Sequence, residues 1–263
     1  YASSAVAPQT VGVDAGATLV LNGRVTQPVY SASLAKTGEG ILEMSGVTDN
    51  NLDFDPYLND AAYDQFTYVN QGTLRFNKLG TANAAINSNW VVIGDNNGPA
   101  GGDQIVYAPG AYSNQFGSAL LVARSGLLNF NGRGDDVSEI RNFVGTVIGG
   151  ANSYGNISVG TVRMYGGTID LQNTNMILTN TNTALYYEYG KPALITATNG
   201  GLGKVDMSSR QTTWFINDGP GMYDLTVEAA VTGIAGSSLV KNNAGALALK
   251  GNNSFLGTNE VHS

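Results

Sequence analysis

Short runs of alternating apolar and polar residues, each closed by Gly, Asn or Asp, recur along the whole chain. Examples are ATLVLNG (17–23), GILEMSG (40–46), GTLRFNK (72–78), QIVYAPG (104–110), GTVIGG (145–150), GTIDLQ (167–172) and ALALKG (246–251). In GTLRFNK, Leu74 and Phe76 point one way and Thr73, Arg75 and Asn77 the other. A period of two is the mark of a strand with one buried face. Helical periodicity is nearly absent, so the chain reads as all-β. Repeat distances of about 8–12 residues suit a sandwich, a barrel, or a solenoid with two or three strands per coil. The phrase Gly-Thr-apolar-x-apolar favours the solenoid, because Gly turns the corner and the inward residues stack on their equivalents in adjacent coils. A sandwich would carry more Asn-Gly hairpin signals than LNGR (21–24) and FNGR (130–133).

Composition narrows the function classes. The 263 residues include 35 glycines but only 13% charged residues, and 42% are hydrophobic, enough to bury a core rather than stay disordered. A net charge of −7, with 13 scattered basic residues, argues against nucleic acid and anionic lipid surfaces. With no cysteine, disulfides, thiolate metal sites and thiol catalysis are all excluded. Together with the neutral, Asn/Gly/Thr-rich surface, that suits a bacterial protein exported through an oxidising space. No apolar run is long enough for a membrane-spanning helix.

One phrase is written twice. SLAKTGEGILEMSG starts at Ser33, and SLVKNNAGALALKG starts at Ser238. Both resemble the autotransporter-associated β-strand repeat. In the second copy Leu239, Lys241, Gly245, Leu247, Leu249, Gly251, Asn253, Phe255, Gly257 and Val261 match that pattern. In the first, Leu34, Lys36, Gly38, Gly40, Leu42, Met44 and Gly46 match, and the pattern resumes at Thr67, Val69, Gly72, Thr73 and Leu74. The departures are Asn242 and Asn243, which stand where the repeat has Thr-Gly, and the split in the first copy.

The resemblance implies a right-handed parallel β-helix, a passenger or stalk outside the bacterial cell, within a longer polypeptide. Its organisation would be one β-solenoid over 1–263. A first repeat (33–78) carries an insertion at 47–66, spacer coils cover 79–237, and a second repeat starts at 238–263. Leu34, Leu42, Leu74, Leu239, Leu247 and Leu249 are the expected core rungs, with Lys36 and Lys241 at coil edges. About 10–12 coils would make a rod of order 50–60 Å.

Chemistry has few footholds. The one histidine, His262, leaves a Ser-His-Asp site without a base in the core. NGRGDDVSEIRN (131–142) offers Arg133, Asp135, Asp136, Glu139 and Arg141, which a polysaccharide-cutting β-helix would bring to one groove; the alternative is a solvated spacer loop. Arg133-Gly134-Asp135 also matches a three-residue integrin ligand. In the insertion, Asp49, Asp53 and Asp55 offer hard oxygen ligands for calcium, the alternative being a solvated acidic loop; apart from that calcium no cofactor is expected. Stretches 47–66 and 181–201 read as protruding loops or short hairpins, whose Tyr57, Tyr63, Tyr186, Tyr187 and Tyr189 either pack the loops onto the solenoid flank or stack on sugar rings or a protein partner. The Gly-rich stretch 94–103 reads as a turn without the Lys-Ser/Thr of a phosphate loop.

The expected role is therefore structural and non-enzymatic, an extracellular stalk, fibre or coat. Its partners would be neighbouring solenoid segments or identical subunits end to end. An adhesin or glycan-binding module and a polysaccharide-degrading β-helix are the alternatives.

Overall fold

A computed structural model describes residues 8–25, 33–48, 50, 66–79, 85–86, 88–117, 119–188 and 190–263. The described residues form strands and turns with no helix, and every strand pairing is parallel. The chain alternates between two sheets. Gln9–Gly12 lies in the first and Thr18–Asn22 in the second; Leu34–Thr37 and Ile41–Gly46 follow in the same order. The second sheet has 10 strands, one per coil. Met176–Leu178, Lys204–Asp206 and Ala230–Thr232 add a third, narrower strip that joins the first sheet through the long strand Ile157–Met164. The architecture is a parallel β-solenoid.

Residues in register form columns along the axis. Leu42, Leu74, Ile105, Leu128, Val147, Ile169, Ile195 and Val227 stack inside the second sheet, each at most 1% exposed. The first sheet answers with Val91, Leu121, Ile140, Val162, Leu185 and Trp214. Burying each such side chain is worth about 1.5–3 kcal/mol.

At the corner entering the second sheet, a column of small residues runs through Gly72, Gly126, Gly145 and Gly167, interrupted by Asp103. Two of these glycines need their conformational freedom, since Gly72 and Gly167 both have φ +71°. Gly145 is required for space, because a Cβ there would lie 2.7 Å from the Gly126 carbonyl oxygen.

The doubled phrase is laid down out of phase. Lys36 stands between Val11 and Val69 in a column that passes on through Ile93, Ala123, Asn142, Met164, Tyr187 and Ile216. Lys241 instead pairs with Trp214, in the column that contains Leu34. In the second sheet it is likewise Leu249, not Leu247, that continues the Leu42 column. A slip of two residues keeps inside and outside unchanged, so the same alternation fits either phase. Leu42 and Leu74 are fully buried and Leu239 nearly so, whereas Leu34, Leu247 and Leu249 are only partly buried against the core.

Three expectations are corrected. Lys36 is not at a coil edge but fully buried, because its ammonium caps backbone carbonyls inside the corner. Stretch 181–201 is not a protruding loop; it contributes Leu185–Tyr187 and Ala193–Thr196 to the two sheets, with Leu185, Tyr187 and Ile195 pointing inward. Residues 135–142 are not a solvated loop but the strand Asp135–Asn142, whose Asp135, Val137, Ile140 and Asn142 face the interior.

Candidate functional site

Of the expected sugar-stacking tyrosines, Tyr57, Tyr63 and Tyr189 lie outside the described residues, as do Asp49, Asp53 and Asp55 of the expected calcium site. Tyr187 is fully buried, and its hydroxyl donates to the Gly190 carbonyl (3.0 Å). Tyr186 points outward, but both of its faces are occupied. Phe215 stacks on one at 4.9 Å and 13°, and the Arg163 guanidinium lies over the ring at 4.1 Å. A sugar ring needs a free aromatic face, and neither tyrosine offers one. Among the described residues, no group of three His, Asp or Glu side chains is arranged to hold a metal.

Arg133, Asp135 and Asp136 do not share a groove. Asp135 is 1% exposed and points inward, so its carboxylate is withdrawn from the Arg-Gly-Asp stretch as well. Asp136 faces solvent, and Arg133 lies outside over the Tyr154 ring (4.3 Å). Glu139 and Arg141 sit on the outer face of the first sheet. There Glu139 accepts from both Arg141 (2.8 Å) and Arg163 (2.7 Å), and Glu188 accepts from Arg163 (2.9 Å). Arg141 reaches back two coils to lie over Trp90 (4.9 Å), crossing the Val92–Val122 column. That accounts for two outward valines being only 4% and 5% exposed. This outer strip fastens coil to coil.

Inside, polar side chains take over where the backbone ladder fails. Lys36 Nζ donates to the carbonyls of Thr37 (2.8 Å), Gly38 (2.6 Å) and Gln71 (3.0 Å), closing one corner across two coils. Burial lowers its pKa, and the Asp103 charge opposes the shift. Lys78, equally buried, donates to the carbonyls of Gly23 and Thr48. The Gln115 amide pairs with Lys78 like a piece of strand, accepting from its N–H (3.2 Å) and donating to its carbonyl (3.3 Å). Asp135 continues the stitching into the next coil. The Tyr107 hydroxyl and the N–H groups of Gln115 (2.8 Å) and Phe116 (3.2 Å) donate to its Oδ2, and the Asp136 N–H (2.9 Å) to its Oδ1. Phe76, Phe116 and Phe130 pack around Tyr107, making this the most aromatic part of the core. Composition gave no hint of these buried polar residues. The spacing of Asp135 two before Val137 was the one available signal.

One open feature of the surface is a groove of about 540 Å³ at the corner between the two sheets. It exists because the corner turn here runs over 94–102, while the preceding coil turns with Asn70 and Gln71 alone. The long turn overhangs its neighbours, and Glu39, Asn70, Gln71, Asp95, Asn97 and Asp103 line the space. The backbone and side chain of Asn97 lower the Asp95 pKa, while burial, with Asp95 adding to it, raises that of Asp103. Carboxylates and amides in a shallow groove can accept from and donate to hydroxyl groups, but no aromatic ring forms a floor.

The fold therefore defines a parallel β-solenoid, stitched inside by polar side chains and fastened outside by an Arg–Glu–aromatic strip. No family model, no curated protein and no solved structure matches the chain.

Proposed function

We propose that this chain is a structural segment of an extracellular bacterial protein, a stiff spacer of the autotransporter-associated repeat type. The observation that carries this reading is the unbroken parallel ladder through 10 coils of the second sheet, with Asp135 buried and Glu139 and Arg141 spent in coil-to-coil contacts, so that the candidate catalytic groups do not converge. A coil stack advances by about 4.8 Å per coil, so ten coils reach roughly 45–50 Å, and length is gained simply by adding coils. The doubled phrase supports the repeat assignment, and the neutral, cysteine-free composition supports the location. Its partners are further solenoid coils, from the same polypeptide or another copy, stacked on the end coils.

The second reading is a glycan-binding module. The acidic, amide-lined groove favours it, and moves the expected contact from the tyrosines to Glu39, Asp95 and Asn97. A glycan array separates the two. The spacer reading predicts no saturable binding, whereas binding that is lost in Asp95→Ala/Asn97→Ala replaces it with the second.

A further inference from the structure

We propose that Asn199 is a self-modification site, which loses its side-chain amide through a cyclic imide and leaves an aspartate or isoaspartate at the tip of a turn. The step is intramolecular. The backbone nitrogen of Gly200 gives its proton to solvent and attacks Cγ of Asn199. A C–N bond forms, and the carboxamide nitrogen takes up a proton and leaves as ammonia. Water then opens the ring at either carbonyl, giving aspartate from one and isoaspartate from the other. Water is the one co-reactant. A glycine after the asparagine favours the attack, because no side chain shields its nitrogen.

The chain has four Asn-Gly pairs, at 22–23, 97–98, 131–132 and 199–200. The fold treats them differently, and two of them make a matched comparison. Asn131 and Gly132 have φ of 50° and 78°, and the Arg133 N–H closes their turn on the Phe130 carbonyl (2.9 Å). Asn199 and Gly200 have φ of 60° and 69°, and the Gly201 N–H closes theirs on the Thr198 carbonyl (3.0 Å). Both are type I′ turns, the kind that Asn-Gly suits.

Beyond that the two differ. Gly132 is buried, and its N–H donates to the Gly149 carbonyl (2.7 Å). The Asn131 carboxamide donates to the Tyr107 carbonyl (3.1 Å), so both reacting groups are held by neighbouring coils. Asn199 and Gly200 are exposed, and nothing lies within 4 Å of a Cβ built on Gly200. Neither the Gly200 N–H nor the Asn199 carboxamide has a hydrogen-bond partner among the described residues. Turning this peptide onto Cγ breaks only the bond that closes the turn. The remaining two pairs are restrained in other ways. Asn22 is held extended in Thr18–Asn22, in register with Ser45, and Asn97 donates its N–H (2.8 Å) and its side chain to Asp95.

The footings of the turn lie outside the reacting pair. Thr198 donates its N–H (2.9 Å) and hydroxyl (2.5 Å) to Asp170, and the Leu202 N–H donates to Asn173 (2.9 Å). The new carboxylate therefore adds one negative charge to the −7 of the chain without loosening the coils. Each hydrogen bond that must open first slows the reaction roughly 2–10-fold, so Asn199 should react roughly 4–100-fold faster than Asn131.

Ageing the full chain in heavy-oxygen water, folded and in urea, tests this, with acid-digested peptides read by mass spectrometry. In the folded chain Asn199 is expected to convert well ahead of Asn131. Its product should be a mixture of isoaspartate and aspartate that carries one heavy oxygen, and the aged protein should melt with the fresh one. In urea the two sites should converge, because the fold alone separates them. Equal rates at Asn199 and Asn131 in the folded chain, a lead of Asn199 that persists unchanged in urea, or aspartate with no isoaspartate would overturn the proposal.

Discussion

Two lysines from the same repeated phrase do different work. Lys36 is fully buried with its ammonium on three carbonyls, two of which, those of Gly38 and Gln71, accept no other hydrogen bond among the described residues. Lys241 is partly exposed and donates to Asn243. Thr37 and Gly38 are half-buried and Gln71 is exposed, so water can reach the carbonyls left behind and the loss is that of the hydrogen bonds themselves. Lys36→Met is therefore expected to lower unfolding free energy by about 1–3 kcal/mol, and Lys241→Met to stay within about 0.5 kcal/mol. Urea denaturation of both variants checks the contrast; equal losses would place both lysines in one environment. Sequence alone could not separate them, because periodicity reports which face a residue takes and not how deep it sits. Tyr187 shows the same limit from the other side. Its spacing from Leu185 marks it as inward, but its place in a run of three tyrosines read as exposed.

Strands and corners were far more legible. GTLRFNK, GTVIGG and GTIDLQ each appear as strands, Gly72–Lys78, Thr146–Ile148 and Thr168–Asp170, with the expected residues inside. What the pattern could not show was phase, since a two-residue slip leaves inward residues inward. The two copies also differ in burial. Leu42 is fully buried in mid-sheet, whereas its counterpart in the phrase, Leu247, is only partly buried. Leu42→Ala should cost about 2–5 kcal/mol, and Leu247→Ala clearly less, as read from the same urea series. At the corners, Gly167→Ala meets two obstacles, a φ of +71° and a Cβ 2.6 Å from the Gly145 carbonyl oxygen. Its melting temperature is expected to fall further than that of Gly16→Ala. Gly16 shares the positive φ but has open space around its Cβ. An equal loss at the two sites would mean that close approach of the coils contributes nothing.

At the scale of the molecule, the solenoid was legible because its rules are local. Alternation, Gly corners and even spacing recur in every coil, and each coil answers only to its neighbours. The groove and the polar stitches were not, since each arises once, from a long turn at 94–102 or an inward Asp135 that departs from the repeat. Stacking makes whole coils the natural unit of change. Thr146 and Thr168 are in register in adjacent coils, so residues 146–167 are one complete coil, and deleting them joins Gly145 to Thr168 in another Gly-Thr corner. Thr73 and Thr226 belong to the same outward column, linked through Gln104, Leu127, Thr146, Thr168 and Leu194. Because the chain has no cysteine, Thr73→Cys and Thr226→Cys can carry the only two spin labels. Pulsed dipolar spectroscopy should find them roughly 29 Å apart, and roughly 24 Å apart once residues 146–167 are deleted, one coil spacing less. An unchanged distance, or a shortened chain that no longer folds cooperatively, would contradict a rod built from interchangeable coils.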